Sequence, residues 1–272
     1  MLIIFFIFGL IFGSFLNVLV YRLHTAEELF LSRSKCPHCQ KPIRWYDNIP
    51  VISFVLLKFR CRDCQEKISW QYPIVEIFTG VIFALVGWKF FVLIDTASWA
   101  STAYYLFIAS ALVTILVYDF LYLEIPMIVL WTGIFVAIAY GLYADWITIY
   151  GNYGSEASIV EASLPAIYSG VLAGFLAFVF FFILSAGSRE KWMGMGDAYL
   201  VIFLGLILGW PEILLALFLA FAIGALYGII MLVLKKKKMK SQVPFAPFLV
   251  LGTFSAIFFY EPIVSWYLGL FY

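Results

Sequence analysis

Residues 213–240 read ILLALFLAFAIGALYGIIMLVLKKKKMK, an uninterrupted apolar run followed by a cluster of lysines. The apolar part, Ile213–Leu234, is long enough to cross the hydrocarbon core of a bilayer as one helix, which takes about 20 residues. Lysines directly after such a run are typical of a helix end that faces the cytoplasm. This stretch therefore predicts a transmembrane helix and its direction.

The composition shows that the whole chain is apolar, not only this stretch. Of its 272 residues, 65% are hydrophobic and only 12% are charged, with a mean hydropathy of +1.02. Soluble domains contain about 45–50% apolar and about 25% charged residues. The composition excludes an ordinary soluble domain and indicates a polytopic membrane protein. The net charge of +1 gives no global sign of nucleic-acid binding.

Seven other apolar runs are candidates for membrane crossings. With the run above, the expected spans are Leu2–Tyr21, Pro73–Leu93, Ala103–Tyr118, Ile125–Tyr143, Ile159–Ala186, Ala198–Leu208, Ile213–Leu234 and Phe245–Phe271. The run Ala198–Leu208 is short, so a count of seven or a re-entrant segment stays open there. We expect an all-α polytopic membrane protein of about eight transmembrane helices.

Basic residues predict the orientation of these helices. Of the 17 lysines and arginines, all but Lys89 lie in residues 22–72, 189–191 and 235–240, which share one side of the membrane if eight helices are counted. Because cytoplasmic loops carry an excess of such residues, these segments are expected to face the cytoplasm, with both termini outside. Their positive charge also predicts contact with anionic lipid, whereas nucleic acid is not an expected partner.

The first basic segment contains all four cysteines of the chain, as two CxxC pairs. The pairs are Cys36–Cys39 and Cys61–Cys64. Two such pairs can present four thiolates in a tetrahedron to one zinc ion. Two disulfides are the alternative, which a reducing cytoplasm disfavours. The apolar segment 48–59 between the pairs is too short to span a bilayer and suits an interfacial or core position.

These features divide the chain into three parts. We expect a first transmembrane helix over residues 1–23, a cytoplasmic zinc-binding domain over residues 24–72, and a transmembrane domain over residues 73–272.

Three acidic residues lie in or beside apolar runs, where ionisable side chains are costly and are candidates for function. Asp119 ends the third expected span, Asp197 begins the sixth in Gly194-Met195-Gly196-Asp197, and Glu76 lies one turn into the second. All three are expected at cytoplasmic helix ends. Two carboxyl groups that meet can share a proton and act together as base and acid.

Structural roles for these residues stay open. Asp197 can be a first-turn residue favoured by the helix dipole, and Asp119 a solvated charge at a helix end. Glu76 can be a buried partner of Asn17 or Arg22. Gly194 and Gly196 would allow another segment to approach the backbone beside Asp197.

The ordered set of motifs resembles the type IV prepilin peptidase family, whose members are GxGD-type membrane aspartyl proteases. The resemblance is carried by Gly13–Val18 with Tyr21-Arg22-Leu23, the two CxxC pairs with Trp45–Pro50 between them, Ser69 with Tyr72–Glu76, Asp119 with Ile125-Pro126, Gly194–Asp197, and Pro244–Phe248. The match covers most of the chain.

The resemblance implies an endopeptidase that cuts the leader peptide of type IV prepilins and pseudopilins at the cytoplasmic face of the bacterial inner membrane. By position, Asp119 and Asp197 are the catalytic pair, Gly194 and Gly196 support the site, and Cys36, Cys39, Cys61 and Cys64 bind zinc. In many members the resemblance also implies methylation of the new N-terminus with S-adenosylmethionine. A protease without this second activity is one alternative. A membrane scaffold or transporter with a zinc module is another.

Overall fold

The computed structural model of the chain describes residues 1–25, 34–93, 95–151, 166–190, 193–234 and 243–270. Regular structure in these residues is helical, apart from two isolated antiparallel bridges beside the cysteine pairs. The helices are α1 (Leu2–Thr25), α2 (Ile52–Leu56), α3 (Gln71–Phe90), α4 (Thr96–Tyr122), α5 (Met127–Gly151), α6 (Ala166–Ser188), α7 (Met195–Leu208), α8 (Glu212–Val233) and α9 (Ala246–Leu268). A 3-10 helix, Trp45–Asn48, precedes α2.

Seven of the described helices are long and apolar enough to cross a membrane, namely α1, α3 to α6, α8 and α9. The shorter apolar helix α7 has 14 residues. It starts after Gly194, which is extended, and stops at Gly209, whose φ of 72° ends the helix. The predicted all-α fold is confirmed, with the short sixth run as a separate helix. The residues of the fifth predicted run before Ala166 lie outside the described ranges.

Helix α4 is longer than the sequence predicted. It begins at Thr96 instead of Ala103, and its added first turns contain polar residues. The hydroxyl group of Thr102 donates to the carbonyl oxygen of Ser98 at 2.7 Å, so the helix backbone satisfies this side chain internally. Polar hydroxyl residues therefore do not end the helix here.

The described helices form two compact units, Met1–Val117 and Tyr118–Tyr272, and the boundary falls inside α4. In the first unit, α1 and α3 pack closely through glycines. A Cβ atom added at Gly9 would lie 2.7 Å from the Cα atom of Gly80, and one at Gly13 would lie 2.7 Å from the Cα atom of Glu76. Gly9 and Gly13 are four residues apart, which places both on the face of α1 that contacts α3.

In the second unit, glycines also allow close helix contacts. Gly170 and Gly174 of α6 face α7, where a Cβ atom at Gly205 would overlap the backbone of Gly174. A Cβ atom at Gly252 of α9 would likewise overlap the carbonyl oxygen of Ala216 in α8. Contact between backbones brings helices together where the surrounding lipid gives no hydrophobic driving force.

Large apolar side chains cover much of the outer surface of this unit. Phe135 of α5, Ile183 of α6 and Phe218 of α8 are all well exposed. A water-soluble surface rarely carries so much exposed apolar area, whereas a lipid-facing surface requires it. The exposure pattern agrees with helices that span a membrane.

We predict that Gly205→Ala lowers the free energy of unfolding by about 1–3 kcal/mol, because its methyl group would force α6 and α7 apart. The matched control is Gly228→Ala in α8, where an added Cβ atom meets nothing within 4 Å. There the better helix propensity of alanine should leave stability unchanged or raise it by less than about 1 kcal/mol. Steric-trapping measurements in micelles compare the two variants, and equal stabilities would contradict the tight α6–α7 contact.

Candidate active site and metal centre

Asp119 lies in the last turn of α4 and is buried, with 6% of its surface exposed. Its Oδ2 atom accepts a hydrogen bond of 3.2 Å from the backbone N–H of Ala246. Ala246 is the first residue of α9, and the first N–H groups of a helix have no partner inside the helix. The carboxyl group of Asp119 thus supplies the acceptor that the start of α9 lacks.

Asp197 lies in the first turn of α7 and is half-buried. Its carboxyl group accepts a hydrogen bond from the backbone N–H of Gly194, the residue that caps the helix. This is the side-chain-to-backbone half of a capping box, and it places a negative charge at the positive end of the helix dipole. The structure therefore gives Asp197 the first-turn role that the sequence left open, which does not prevent it from acting in chemistry.

The structure brings the two carboxyl groups together. The charge of Asp119 acts repulsively on Asp197, so the two groups lie within electrostatic reach of each other. The end of α4 and the starts of α7 and α9 therefore meet at one place in the second unit. Each carboxyl group there has one backbone N–H donor from the start of a helix.

The two glycines of the GxGD sequence differ in their surroundings. A Cβ atom at Gly196 would lie 3.2 Å from the Cδ1 atom of Ile125, which belongs to the segment between α4 and α5. A Cβ atom at Gly194 would lie 3.9 Å from the Oδ2 atom of Asp197, an ordinary contact distance. Of the two glycines, Gly196 thus has the closer neighbour, which is the side chain of Ile125.

Two features of this site escaped the sequence analysis. One is the N–H group of Ala246, although the prolines on either side of Phe245-Ala246 mark the start of a helix. The other is Leu123, which has a φ of 57° and whose N–H bonds to the carbonyl oxygen of Asp119 at 2.9 Å. A glycine is usual in this left-handed position after a helix. Because leucine gives no such signal, the strain beside Asp119 could not be predicted.

The four cysteines converge in the first unit. All four are free, and their sulfur atoms lie within 4.8 Å of one another. The Sγ atoms of Cys36 and Cys64 are 3.9 Å apart, far longer than a disulfide bond. Zinc held at about 2.3 Å from four sulfurs separates them by about 3.8 Å. The cluster thus fits a tetrahedral metal ion, and the disulfide alternative is not what the structure has.

Ion pairs connect the two cysteine pairs with the segment between them. The guanidinium group of Arg62 donates two hydrogen bonds, of 2.7 and 2.8 Å, to the carboxylate of Asp47. This hydrogen bonding holds the pKa of Asp47 below its usual range. Lys41 also pairs with Asp63 at 3.2 Å in a more exposed contact. These contacts hold the two CxxC turns and the 3-10 helix as one module, residues 34–70.

Glu76 of α3 is buried and connects this module to the helices. Its Oε2 atom accepts a hydrogen bond of 2.7 Å from the N–H of Val51, and the side chain of Ser14 bonds to it as well. Val51 has a φ of 60°, an unusual conformation for a β-branched residue. Asn17 bonds to Gly13, Tyr72 and Gln71 rather than to Glu76. The partners that the structure gives Glu76 are therefore Val51 and Ser14, which the sequence did not indicate.

A cavity of about 690 Å³ lies in the first unit between the module, the C-terminal half of α1 and the start of α3. Its size is within the range of about 300–1,000 Å³ for small-molecule sites. Four acidic side chains are among its lining residues, namely Asp47, Asp63, Glu66 and Glu76. Six basic side chains (Lys or Arg) also line it, and all of its lining residues belong to the first unit.

Two family profiles match the chain. Residues 7–90 match the Bacterial Peptidase A24 N-terminal domain, and residues 106–229 match the Type IV leader peptidase family. The first range contains the four cysteines, and the second contains Asp119 and Gly194–Asp197. Ala246 lies beyond both ranges.

Curated relatives match over almost the whole length. A protein of Escherichia coli O78:H11 named type 4 prepilin-like proteins leader peptide-processing enzyme is 33% identical, over 92% of this chain and 91% of the relative. Proteins named prepilin leader peptidase/N-methyltransferase are 29% identical in Bacillus subtilis, over 99% of both chains, and 28% identical in Stutzerimonas stutzeri, over 96% and 92%. No solved structure matches the chain.

We predict one tightly bound zinc ion per chain, lost in Cys36→Ser and in Cys61→Ser. Because a structural metal supplies folding free energy, residues 34–70 should then lose their protection from hydrogen exchange. Lys41→Gln is the control, since it breaks only the exposed ion pair with Asp63 and should keep the metal. Metal analysis together with hydrogen-exchange mass spectrometry checks this, and a metal-free wild-type protein with a protected module would contradict it.

Proposed function

The chain belongs to the type IV leader peptidase family, and we propose that it is an aspartyl endopeptidase that removes the leader peptide of type IV prepilins and pseudopilins at the cytoplasmic face of the inner membrane. In this proposal residues 73–272 form the protease domain, with Asp119 and Asp197 as the catalytic pair. Gly194 and Gly196 support the site.

The observation that carries the proposal is the meeting of the two carboxyl groups. Asp119 and Asp197 come from helices far apart in sequence, yet they repel each other electrostatically and each is fixed by a helix-start N–H group. When two carboxyl groups repel each other, ionisation of both is costly, so a state in which one of them keeps its proton is favoured. The pair then offers one base and one acid at the same place.

This pair can perform peptide hydrolysis. The ionised carboxylate removes a proton from a water molecule as its oxygen attacks the scissile carbonyl carbon. The protonated carboxyl group donates a hydrogen bond to the carbonyl oxygen, and a proton passes to the leaving amine as the C–N bond breaks. Gly196 contributes by letting Ile125 approach the start of α7, which holds the segment after Asp119 close to Asp197.

The position of the pair suits a substrate that is itself anchored in the membrane. Both carboxyl groups lie at helix ends, where water for hydrolysis is available. In the proposed substrate, the leader peptide directly precedes an apolar helix, so its cleavage point would lie at the same level of the membrane. The placement of basic residues supports a cytoplasmic location for the helix ends that carry Asp119 and Asp197. It also supports a cytoplasmic location for residues 24–72, the proposed zinc-binding domain, and an outside location for both termini. Anionic lipid is the expected partner of the basic segments. The lysine run 235–240 lies outside the described residues.

We further propose that the enzyme methylates the new N-terminus, with S-adenosylmethionine as the donor, as the names of several relatives suggest. When bound, this cofactor supplies a methyl group on a positively charged sulfur. The cavity in the first unit has the volume of a small-molecule site, and its lining includes carboxylates that could face a cationic group of that kind. Asp47 and Glu76, which line it, are the residues that we assign to this activity.

The alternatives are not equally supported. A scaffold or transporter would account for the cysteines and the apolar helices, but not for the two carboxyl groups at one place or for relatives named as processing enzymes. A protease without methyl transfer differs from our proposal only in the use of the cavity. The identity of the metal as zinc rests on the four-sulfur donor set.

We predict that Asp119→Asn and Asp197→Asn each lower the rate of prepilin cleavage at least about 10²-fold, because general acid–base catalysis needs a partner that can exchange a proton. Asp145→Asn is the matched control. Asp145 also accepts N–H groups at a helix start, those of Ala166 and Ile167. Asparagine caps helices as well as aspartate does, so activity and stability should persist.

The test is to co-express each variant with a prepilin. The size of the pilin then reports cleavage, and the level of enzyme in the membrane reports its stability. Normal processing by either Asp119→Asn or Asp197→Asn would refute the assignment of the catalytic pair.

A further inference from the structure

The short helix α2 has an exposed apolar face. Ile52, Val55 and Leu56 are 56%, 58% and 76% exposed, and their spacing places them on one side of the helix. Ser53 and Phe54 are buried on the other side. The sequence left open whether segment 48–59 lies at an interface or in a core. In the structure, one face of α2 is exposed and apolar, and the opposite face is buried in the module.

Aromatic contacts hold α2 beside the start of α3. The ring of Phe54 lies 5.1 Å from that of Trp70 and 4.9 Å from that of Phe59, and Trp70 directly precedes α3. Trp70 itself is 62% exposed. A tryptophan at the end of a membrane helix is typical of the headgroup level. The buried face of α2 is therefore attached to a residue of the membrane boundary.

The bond from Val51 to Glu76 fixes the depth of α2. Val51 caps α2, and Glu76 lies five residues into α3, about 7.5 Å along the helix axis. The 20 residues of α3 extend about 30 Å, the thickness of the hydrocarbon core. The start of α2 is thus level with the second turn of α3. Because the whole length of α3 is needed to cross the hydrocarbon core, this level lies at the membrane and not in the solvent.

Basic side chains follow the apolar face along the chain. Lys58 and Arg60 on either side of Phe59 are exposed, and so is Lys67, which forms an antiparallel bridge with Arg60. Apolar side chains beside lysines and arginines are the composition of segments that lie in the interface of a membrane with anionic lipid. Charge complementarity therefore favours lipid over another protein as the occupant of this face.

We propose that Ile52, Val55 and Leu56 insert into the boundary between headgroups and acyl chains, so that α2 anchors the four-cysteine module on the membrane surface. The module then has three attachments to the bilayer, α1, α2 and α3, and not only the two helices that flank it in sequence. Its cavity is held beside the membrane, where a membrane-anchored substrate presents its polar end.

The test places a photoreactive side chain on this face in the full-length protein. Leu56→p-benzoylphenylalanine is compared with Gln65→p-benzoylphenylalanine, at an exposed turn beside Cys64. Both proteins are irradiated in nanodiscs of phosphatidylethanolamine and phosphatidylglycerol, and mass spectrometry identifies the adducts. We expect phospholipid adducts at position 56 and only background at position 65, with zinc content unchanged in both.

The same replacement at Ile52 and at Val55 repeats the test at two further exposed sites, in case one variant fails to fold. Irradiation in native membranes then distinguishes the possible occupants. Absence of lipid adducts at all three positions would overturn the proposal. It would also be overturned if prepilin or a second copy of the chain became the main adduct in native membranes.

Discussion

A carboxyl group inside an apolar bundle needs a hydrogen-bond donor, and in this protein the start of a helix provides it. The first N–H groups of a helix have no partner within the helix and carry partial positive charge. Among the described residues, four buried or half-buried carboxyl groups accept such N–H groups. The pairs are Glu76 with Val51, Asp119 with Ala246, Asp145 with Ala166 and Ile167, and Asp197 with Gly194. The arrangement of the helix starts therefore decides where acidic side chains can lie.

The same interaction has different consequences in the two units. In the second unit it fixes two carboxyl groups beside each other, and their repulsion makes a shared proton favourable. In the first unit it fixes one carboxyl group, which accepts hydrogen bonds from Val51 and Ser14, so Glu76 holds the module in place and also lines its cavity. The second unit thus carries a carboxyl pair suited to hydrolysis, and the first unit carries a cavity with the volume of a small-molecule site. Glycines make both arrangements possible, since Gly13 and Gly196 let other segments approach closely.

Features that are local in sequence were predictable. The apolar runs predicted the long apolar helices, and the CxxC spacing predicted the cysteine cluster. The position of Asp119 and Asp197 at the ends of apolar runs marked them as candidates for function. Contacts between distant segments were not predictable, because no pattern encodes them. Asp119 and Ala246 are 127 residues apart, and an N–H group is common to every residue except proline. The positive φ of Val51 is likewise invisible in sequence, since β-branched residues disfavour it.

We propose that cleavage and methyl transfer use different sites. The most direct measurement supplies mature pilin with a free N-terminus and follows transfer of a labelled methyl group from S-adenosylmethionine. We expect Asp119→Asn and Asp197→Asn to transfer the label as well as the wild type does. We expect Asp47→Asn, once shown to retain its metal, to transfer far less while still cleaving prepilin. If the variants of Asp119 and Asp197 lose methyl transfer as completely as cleavage, the two reactions share one site, which would contradict the assignment of Asp47 to methyl transfer.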